Sequence, residues 1–149
     1  MGSCRVSAMG VVAVPFFVGA RLSGLDVPAP HLEVSPPLPD GSPQQRMAVL
    51  YRELADRVAV EPRPLVYAGD CLAAIGVLAG LQRAGIDPTL IWLDAHGDFH
   101  TWETTRSGFL GGMPLAMIVG RGEQTVVEGA GLVPLAEERV VLVGARDLD

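Results

Sequence analysis

The sequence predicts an α/β protein built on a mostly parallel sheet with helices on both faces. Three observations carry this. Runs such as Leu90–Leu93 and Val140–Val143 are apolar without alternation, as expected of strands buried on both sides. Segments with apolar residues at helical spacing stand between the strands. Gly, Pro and Asp clusters separate the two kinds of segment, which gives a strand–helix–strand order.

The first strand is Val11–Val14, a β-branched run closed by Pro15. Residues 19–43 are rich in Gly, Pro and Ser, with Pro28, Pro30, Pro36, Pro37 and Pro39, and read as a long loop. Ser42-Pro43-Gln44-Gln45 then opens a helix. Ser42 can accept from the first-turn N–H groups, Pro43 suits the first helical position and Gln45 completes a capping box. Met47, Leu50, Tyr51, Leu54 and Val58 form its apolar face, with Arg46, Arg52, Glu53, Asp56 and Arg57 turned mostly outward.

Leu65–Tyr67 is the second strand, Gly69-Asp70 a turn, and Leu72–Ala84 a mostly apolar helix ended by Gly85. Asp87-Pro88 turns the chain into the third strand, Leu90–Leu93, which runs straight into Asp94. A Gly-rich loop spans Gly108–Gly112, a short helix follows Pro114, and Val140–Val143 is the fourth strand. The 149 residues suit one domain. A doubly wound sheet would place a helix after the last strand, so residues 1–149 are expected to be a single partial domain.

Composition excludes several classes. With 49% hydrophobic and 19% charged residues, the chain is not a disordered one. A net charge of −6 offers no electrostatic footprint for nucleic acid or an anionic membrane. All 11 basic residues are Arg. Two cysteines, Cys4 and Cys71, make no disulfide framework. Arg5 before the apolar stretch Ala8–Ala20, with Val18-Gly19-Ala20 as a small-residue site, has some features of a signal peptide. Pro15 interrupts that run and Val11–Val14 reads as a buried strand, so the expected location is cytoplasmic. No segment has the ~20 uninterrupted apolar residues of a membrane helix.

The sharpest chemical feature is Asp94-Ala95-His96-Gly97-Asp98-Phe99-His100. Alternation along an extended backbone would put Asp94, His96 and Asp98 on one side, with Phe99 pointing the other way. They stand just past the C-terminal end of a strand, where open α/β sheets build their sites. Two hard carboxylates and an imidazole suit a divalent metal such as manganese, zinc or iron. On spacing alone, a structural hydrogen-bond network is an equal alternative.

Gly69-Asp70-Cys71 ends the neighbouring strand and opens a helix. A thiol at a helix N-terminus is expected to have a lowered pKa, making Cys71 a ligand or nucleophile. A small buried hydrophobe is the commoner fate of a free Cys, and the residues alone favour it. In Ser107-Gly108-Phe109-Leu110-Gly111-Gly112-Met113-Pro114 the glycines permit close backbone approach to a ligand. The segment lacks a phosphate-loop Lys, and Ser107 has no local His/Asp partner for nucleophilic catalysis. His31 lies in the proline-rich loop and reads as solvated.

Taken together, these residues resemble the arginase–agmatinase–formimidoylglutamase family, the ureohydrolases. Val11–Gly19 resembles that family's opening strand and Pro/Gly loop. Gly69-Asp70-Cys71 matches two positions of its Gly-Asp-His motif, and Asp94–Asp98 matches Asp-Ala-His-x-Asp in full. Gly108–Pro114 is similar to its Gly-rich segment, and Gly144-Ala145-Arg146-Asp147 to its Gly-x-Arg-Asp strand end. The resemblance implies a three-layer α/β/α fold, apparently truncated here to an N-terminal portion. It implies two manganese ions bridged by hydroxide, a small guanidino or amidino substrate and a homo-oligomer. By position, Asp94 would bridge the metals, His96 would bind one, and Asp98 would bind the other and act as the catalytic residue beside the hydroxide.

The departures from the family pattern carry expectations of their own. Cys71 replaces the family's first His ligand and, if it ligates, shifts preference toward zinc or iron. Gly111 stands where many arginases have a His. His100 replaces the Asn that arginases use for the substrate carboxylate, which makes it the candidate substrate-binding residue and arginine a doubtful substrate. The family's second Asp-x-Asp motif lies beyond the sequence, and Asp147 and Asp149 are not assigned as its replacement. Two functions follow: a metal-dependent hydrolase of linear guanidino or amidino C–N bonds, or an inactive family member serving as a binding or oligomer-partner subunit.

Overall fold

The structure is a computed structural model and describes residues 9–28 and 32–148. Cys4, His31 and Asp149 lie outside the described residues.

Strand β1 (Gly10–Val14) is central to a three-stranded parallel sheet. On one side it pairs with β4 (Leu32–Glu33), in register Val12↔Leu32. On the other it pairs with β5 (Pro64–Ala68), in register Gly10↔Pro64. Between β1 and β4, strands β2 (Phe16–Phe17) and β3 (Ala20–Arg21) form a small antiparallel hairpin. The stretch 19–43 is therefore not all loop. Its two short strands are invisible to periodicity because each is only two residues long. The hairpin turn puts Val18 at φ +46° and Gly19 at φ +74°. Two successive positive φ values match the twist of flanking strands, but the left-handed region strains a β-branched residue such as Val.

Helix α1 (Pro43–Val60) begins as its sequence predicts: Ser42 accepts from the Gln45 N–H, and the Gln45 side chain accepts from the Ser42 N–H. Met47, Leu50, Tyr51, Leu54, Ala55 and Val58 are buried along one face. Helix α2 (Ala73–Arg83) packs on that face through small residues. A Cβ at Gly80 would come within 2.6 Å of Val58 Cβ and 2.7 Å of the Ala55 carbonyl oxygen. Gly85, at φ +78°, follows the end of α2.

Strands β6 (Leu90–Leu93) and β7 (Val140–Val143) form a second parallel pair. Between them lie α3 (Pro114–Ile118) and α4 (Thr125–Ala130). Helix α4 was not apparent from its sequence, because Thr-Val-Val-Glu-Gly-Ala is a poor helix former. Tertiary burial overrides propensity: Val126, Val127 and Ala130 are buried, and Gly129 sits where a Cβ would fall 2.3 Å from Ala48 Cβ on α1.

The sheet expected as one continuous layer is present in two pieces, because β5 and β6 do not pair with each other. Coverage also departs from expectation. On β6–β7, Trp92 is buried while Ile91 is 64% and Leu93 75% exposed, so one face of this pair lacks a helical layer among the described residues. No helix among the described residues is long and apolar enough to cross a membrane.

Candidate metal centre

Strand β5 runs into Gly69-Asp70-Cys71 and β6 runs into Asp94, so both deliver polar residues from their C-terminal ends. The thiol of Cys71 lies 3.9 Å from Asp94 Oδ2. Ligand-type atoms of Cys71, Asp94 and Asp98 all lie within 4.8 Å of one another. Asp98 is 6% exposed, the one buried charged residue among those described.

The backbone brings Asp98 inward by a route that alternation does not anticipate. The chain bends at Ala95, and Asp98 adopts the left-handed region at φ +51°. Its carbonyl oxygen accepts from Leu115 N–H at 2.9 Å and Ala116 N–H at 3.3 Å, which holds this conformation against the start of α3. Ala95 and Gly97 are stitched to the segment after β7: Arg146 and Asp147 N–H groups donate to the Ala95 carbonyl, and Gly97 N–H to that of Asp147.

This bend corrects the expectation that Asp94, His96 and Asp98 share one side. His96 turns outward, with its side chain 65% exposed, and stands outside the cluster. Its Nδ1 lies 3.1 Å from Asp94 Oδ1, and its backbone N–H donates to the same oxygen at 2.9 Å. That N–H, followed by the imidazole, holds the Asp94 carboxyl below its usual range, so it is ionised at neutral pH. Phe99, as expected, points away into apolar surroundings, with the Arg121 guanidinium 5.6 Å from its ring centroid.

Cys71 departs from both of its sequence readings. It is exposed, so it is not a small buried hydrophobe. It precedes α2 by two residues, and its thiol is pushed up to about 11, not lowered. Desolvation of the sulfur is the largest cause, followed by the negative field of Asp98, Asp94 and Asp70. The carboxylates outweigh the weak positive end of the helix.

Asp70 is the anchor that the motif reading passed over. Its Oδ1 accepts from Tyr51 OH and from the Leu72 N–H, each at 3.0 Å, and its Oδ2 from the Val18 N–H at 2.6 Å. Burial raises its pKa against these three donors. Burial and the neighbouring Asp70 keep the Tyr51 phenol protonated, so it remains a donor.

Two cavities adjoin the cluster. One, of ≈ 380 Å³, contains Cys71, Asp94, Asp98 and Asp147. The other, of ≈ 520 Å³, shares His96, His100, Ser107 and Asp147 with the first and adds Arg106. His100 Nδ1 lies 3.1 Å from Thr104 Oγ1. Arg106, which no motif singled out, has no ion-pair or hydrogen-bond partner among the described residues and gives the outer cavity a positive charge. Only the stitching of residues 146–147 to Ala95 puts Asp147 in the wall of both cavities.

The Arginase family model matches residues 3–149. The chain belongs to the arginase family. It is 47% identical to the arginase of Bacillus subtilis over 87 residues, 58% of this chain and 29% of that protein. Against the arginase of Staphylococcus aureus (strain MRSA252) it is 36% identical over 100 residues, 67% of this chain and 33% of that one. The crystal structure of the Bacillus subtilis arginase superimposes with a TM-score of 0.75 at 30% identity, covering 96% of this chain and 58% of that chain. The Bacillus caldovelox arginase gives 0.73 at 30% identity, with coverages of 95% and 58%. The arginase fold is thus present with a parallel sheet and flanking helices, and this chain spans less than three-fifths of those solved structures.

The donor set fits the divalent metal that the family implies. Two carboxylates and a thiol converge within 4.8 Å, and the negative field of Asp98, Asp94 and Asp70 adds to desolvation in raising the thiol's pKa. A divalent cation would offset that charge and favour the thiolate.

Proposed function

We propose that this chain carries one side of a metal-dependent hydrolase site for linear guanidino or amidino C–N bonds. The observation that supports it is the convergence of Cys71, Asp94 and Asp98 at the C-terminal ends of parallel strands in an arginase-family chain.

In this reading Cys71, Asp94 and Asp98 hold the metal. His96 joins them by rotating away from Asp94. Manganese is the expected ion, as a pair in the complete family site, with zinc or iron favoured if the thiol ligates. Bound divalent ions make water acidic enough to serve as a nucleophile near neutral pH. With such ions held, Asp98 Oδ would be placed to accept a proton from the attacking water. Asp98 would return that proton to the leaving nitrogen as the C–N bond breaks, and the former water's remaining proton would pass to the released amine, giving an ammonium product and urea, or the analogous amide from an amidine.

Charge selects the substrate class. The acidic inner cavity favours a guanidinium or amidinium, while Arg106 beside His100 favours an anionic group at the far end. Guanidino acids meet both conditions. Agmatine, with an ammonium at that end, meets only the first. The same reading places the protein in the cytoplasm as a homo-oligomer acting on a small molecule.

The second reading, an inactive family member that binds a ligand or partner, is favoured by Cys71 and Gly111 at positions where relatives of the motif carry His. Calorimetric titration with manganese and zinc separates the two, and urea-release assays on arginine, agmatine and guanidino acids test whether this portion turns over by itself. The chain is expected to bind one divalent ion weakly, to lose it on Asp94→Ala, and to show no useful turnover. Unchanged metal affinity in Asp94→Ala would remove the metal reading and leave the second.

A further inference from the structure

Phe109 brings the one hydrocarbon side chain among the described residues that line the inner cavity of ≈ 380 Å³. The other side chains there carry nitrogen, oxygen or sulfur, and Gly111 and Gly112 contribute backbone alone. The Phe109 ring occupies the space that a side chain at position 111 would fill. A Cβ on Gly111 would stand 2.4 Å from its Cε1 and 2.5 Å from its Cζ. Its stacking partner is Phe17, inclined at 28° with ring centroids 6.1 Å apart. Both rings are exposed.

Backbone contacts hold this pair at the cavity. Phe109 N–H donates to Ser107 Oγ at 3.2 Å, and the Phe109 carbonyl accepts from Gly112 N–H at 3.2 Å. The Gly112 carbonyl accepts from His100 N–H at 3.0 Å, and Leu110, next in sequence, is buried. Phe17 belongs to the β2–β3 hairpin, which Asp70 fixes through the Val18 N–H. One ring is thus anchored to the segment after Asp98 and the other to the residue before Cys71.

Exposed stacked rings beside carboxylates suit a particular ligand. Hydrocarbon surface left in water is unfavourable, and a ligand that covers it gains from doing so. Asp94, Asp98 and Asp147 share the cavity with Phe109 and make it a site for a cation. An aromatic face also attracts cations. A planar, delocalised guanidinium stacks on such a face and is weakly hydrated, whereas an ammonium is compact and holds its water strongly.

We infer that the Phe109 ring, braced by Phe17, is a stacking wall by which the cavity selects a planar cation, a guanidinium or amidinium, over an ammonium of equal charge. The ligand class rests on the hydrolase reading above, but the role of the ring requires neither turnover nor bound metal. Phe109 is a specificity residue in this account.

The test titrates the metal-free full chain with β-guanidinopropionate and with β-alanine, which share a carboxylate and differ in the cation. Nuclear magnetic resonance reads both affinities and the Phe109 ring protons. The guanidino acid is expected to bind at least ~5-fold more tightly and to shift those protons. Phe109→Leu keeps an apolar side chain without a π face and should bring the two affinities within ~2-fold of each other, while Phe109→Trp should keep or widen the gap. Circular dichroism checks that both variants fold, and if either does not, the ring protons of the unsubstituted chain decide. The proposal is overturned by a preference that survives Phe109→Leu, by equal or absent binding of the two acids, or by ring protons that do not move. Zinc affinity in Asp94→Ala is read separately, so the metal reading and the stacking wall stand or fall apart from each other.

Discussion

Asp70 Oδ2 accepts the backbone N–H of Val18 at 2.6 Å, joining the turn before helix α2 to a strained turn 52 residues earlier. Val18 holds φ +46°, a region that normally costs a β-branched residue about 1–3 kcal/mol. The other Asp70 oxygen takes the Tyr51 hydroxyl and the Leu72 N–H. One carboxylate thus fixes the hairpin, helix α1 and the residue next to Cys71 relative to one another.

Asp70→Ala leaves three donors without an acceptor, and the phenol of Tyr51 is buried. The expected loss of stability is about 3 kcal/mol. Asp70→Asn keeps the oxygen used by Tyr51 and Leu72 but turns an amide donor toward Val18, and should cost about 1 kcal/mol. Urea unfolding of the three proteins measures both. Equal stabilities for Ala and Asn would mean that the Tyr51 and Leu72 bonds contribute nothing.

Metal affinity should distinguish the inward from the outward members of the motif. Asp98→Asn, at a buried position of the cluster, is expected to weaken zinc binding at least as much as His96→Ala, whose imidazole is outside it. Phe99→Leu should leave affinity unchanged, because its ring packs among apolar neighbours away from the cavity. Calorimetry on the three variants gives the order: a smaller loss in His96→Ala is expected from its inward rotation, and no loss at all would show that the imidazole stays outward when metal binds.

Cys71 in metal-free protein should react slowly with iodoacetamide at neutral pH. Its rate should climb with a midpoint near pH 11, above the ordinary 9.0. The linkage has a definite sign. Between 9.0 and about 11 the folded thiol keeps a proton that the unfolded one has lost, so stability falls as pH rises through that window. A rate midpoint below 9.0 would restore the helix-end thiolate.

Restoring a His at position 111 should fail by itself. A Cβ there would lie 2.4 Å from Phe109 Cε1, and the Phe109 ring is stacked on Phe17 with centroids 6.1 Å apart. Gly111→His requires the half-exposed Phe109 ring to turn off Phe17 and is expected to destabilise the fold by about 1 kcal/mol, the low end of the range for overpacking. Phe109→Ala in the same protein should recover most of that. A double-mutant cycle by urea unfolding reads the coupling, and additive effects would show that the ring moves aside freely.

Much of this architecture was legible in the sequence because its causes are local. The capping box at Ser42, the apolar stripe from Met47 to Val58 and the closing Gly85 depend on residues within a few positions of one another. The Asp94–Asp98 motif and its place after a strand were readable for the same reason. Tertiary structure alone decided three things. Helix α4 forms because Val126 and Val127 are buried, against their weak propensity. Asp98 faces inward and His96 outward because α3 and the segment after β7 bend the motif, and a two-residue periodicity contains no information about that bend. The thiol of Cys71 resists ionisation because the fold desolvates its sulfur and gathers Asp98, Asp94 and Asp70 around it, and neither burial nor a field summed over distant residues can be read from the neighbours of one cysteine.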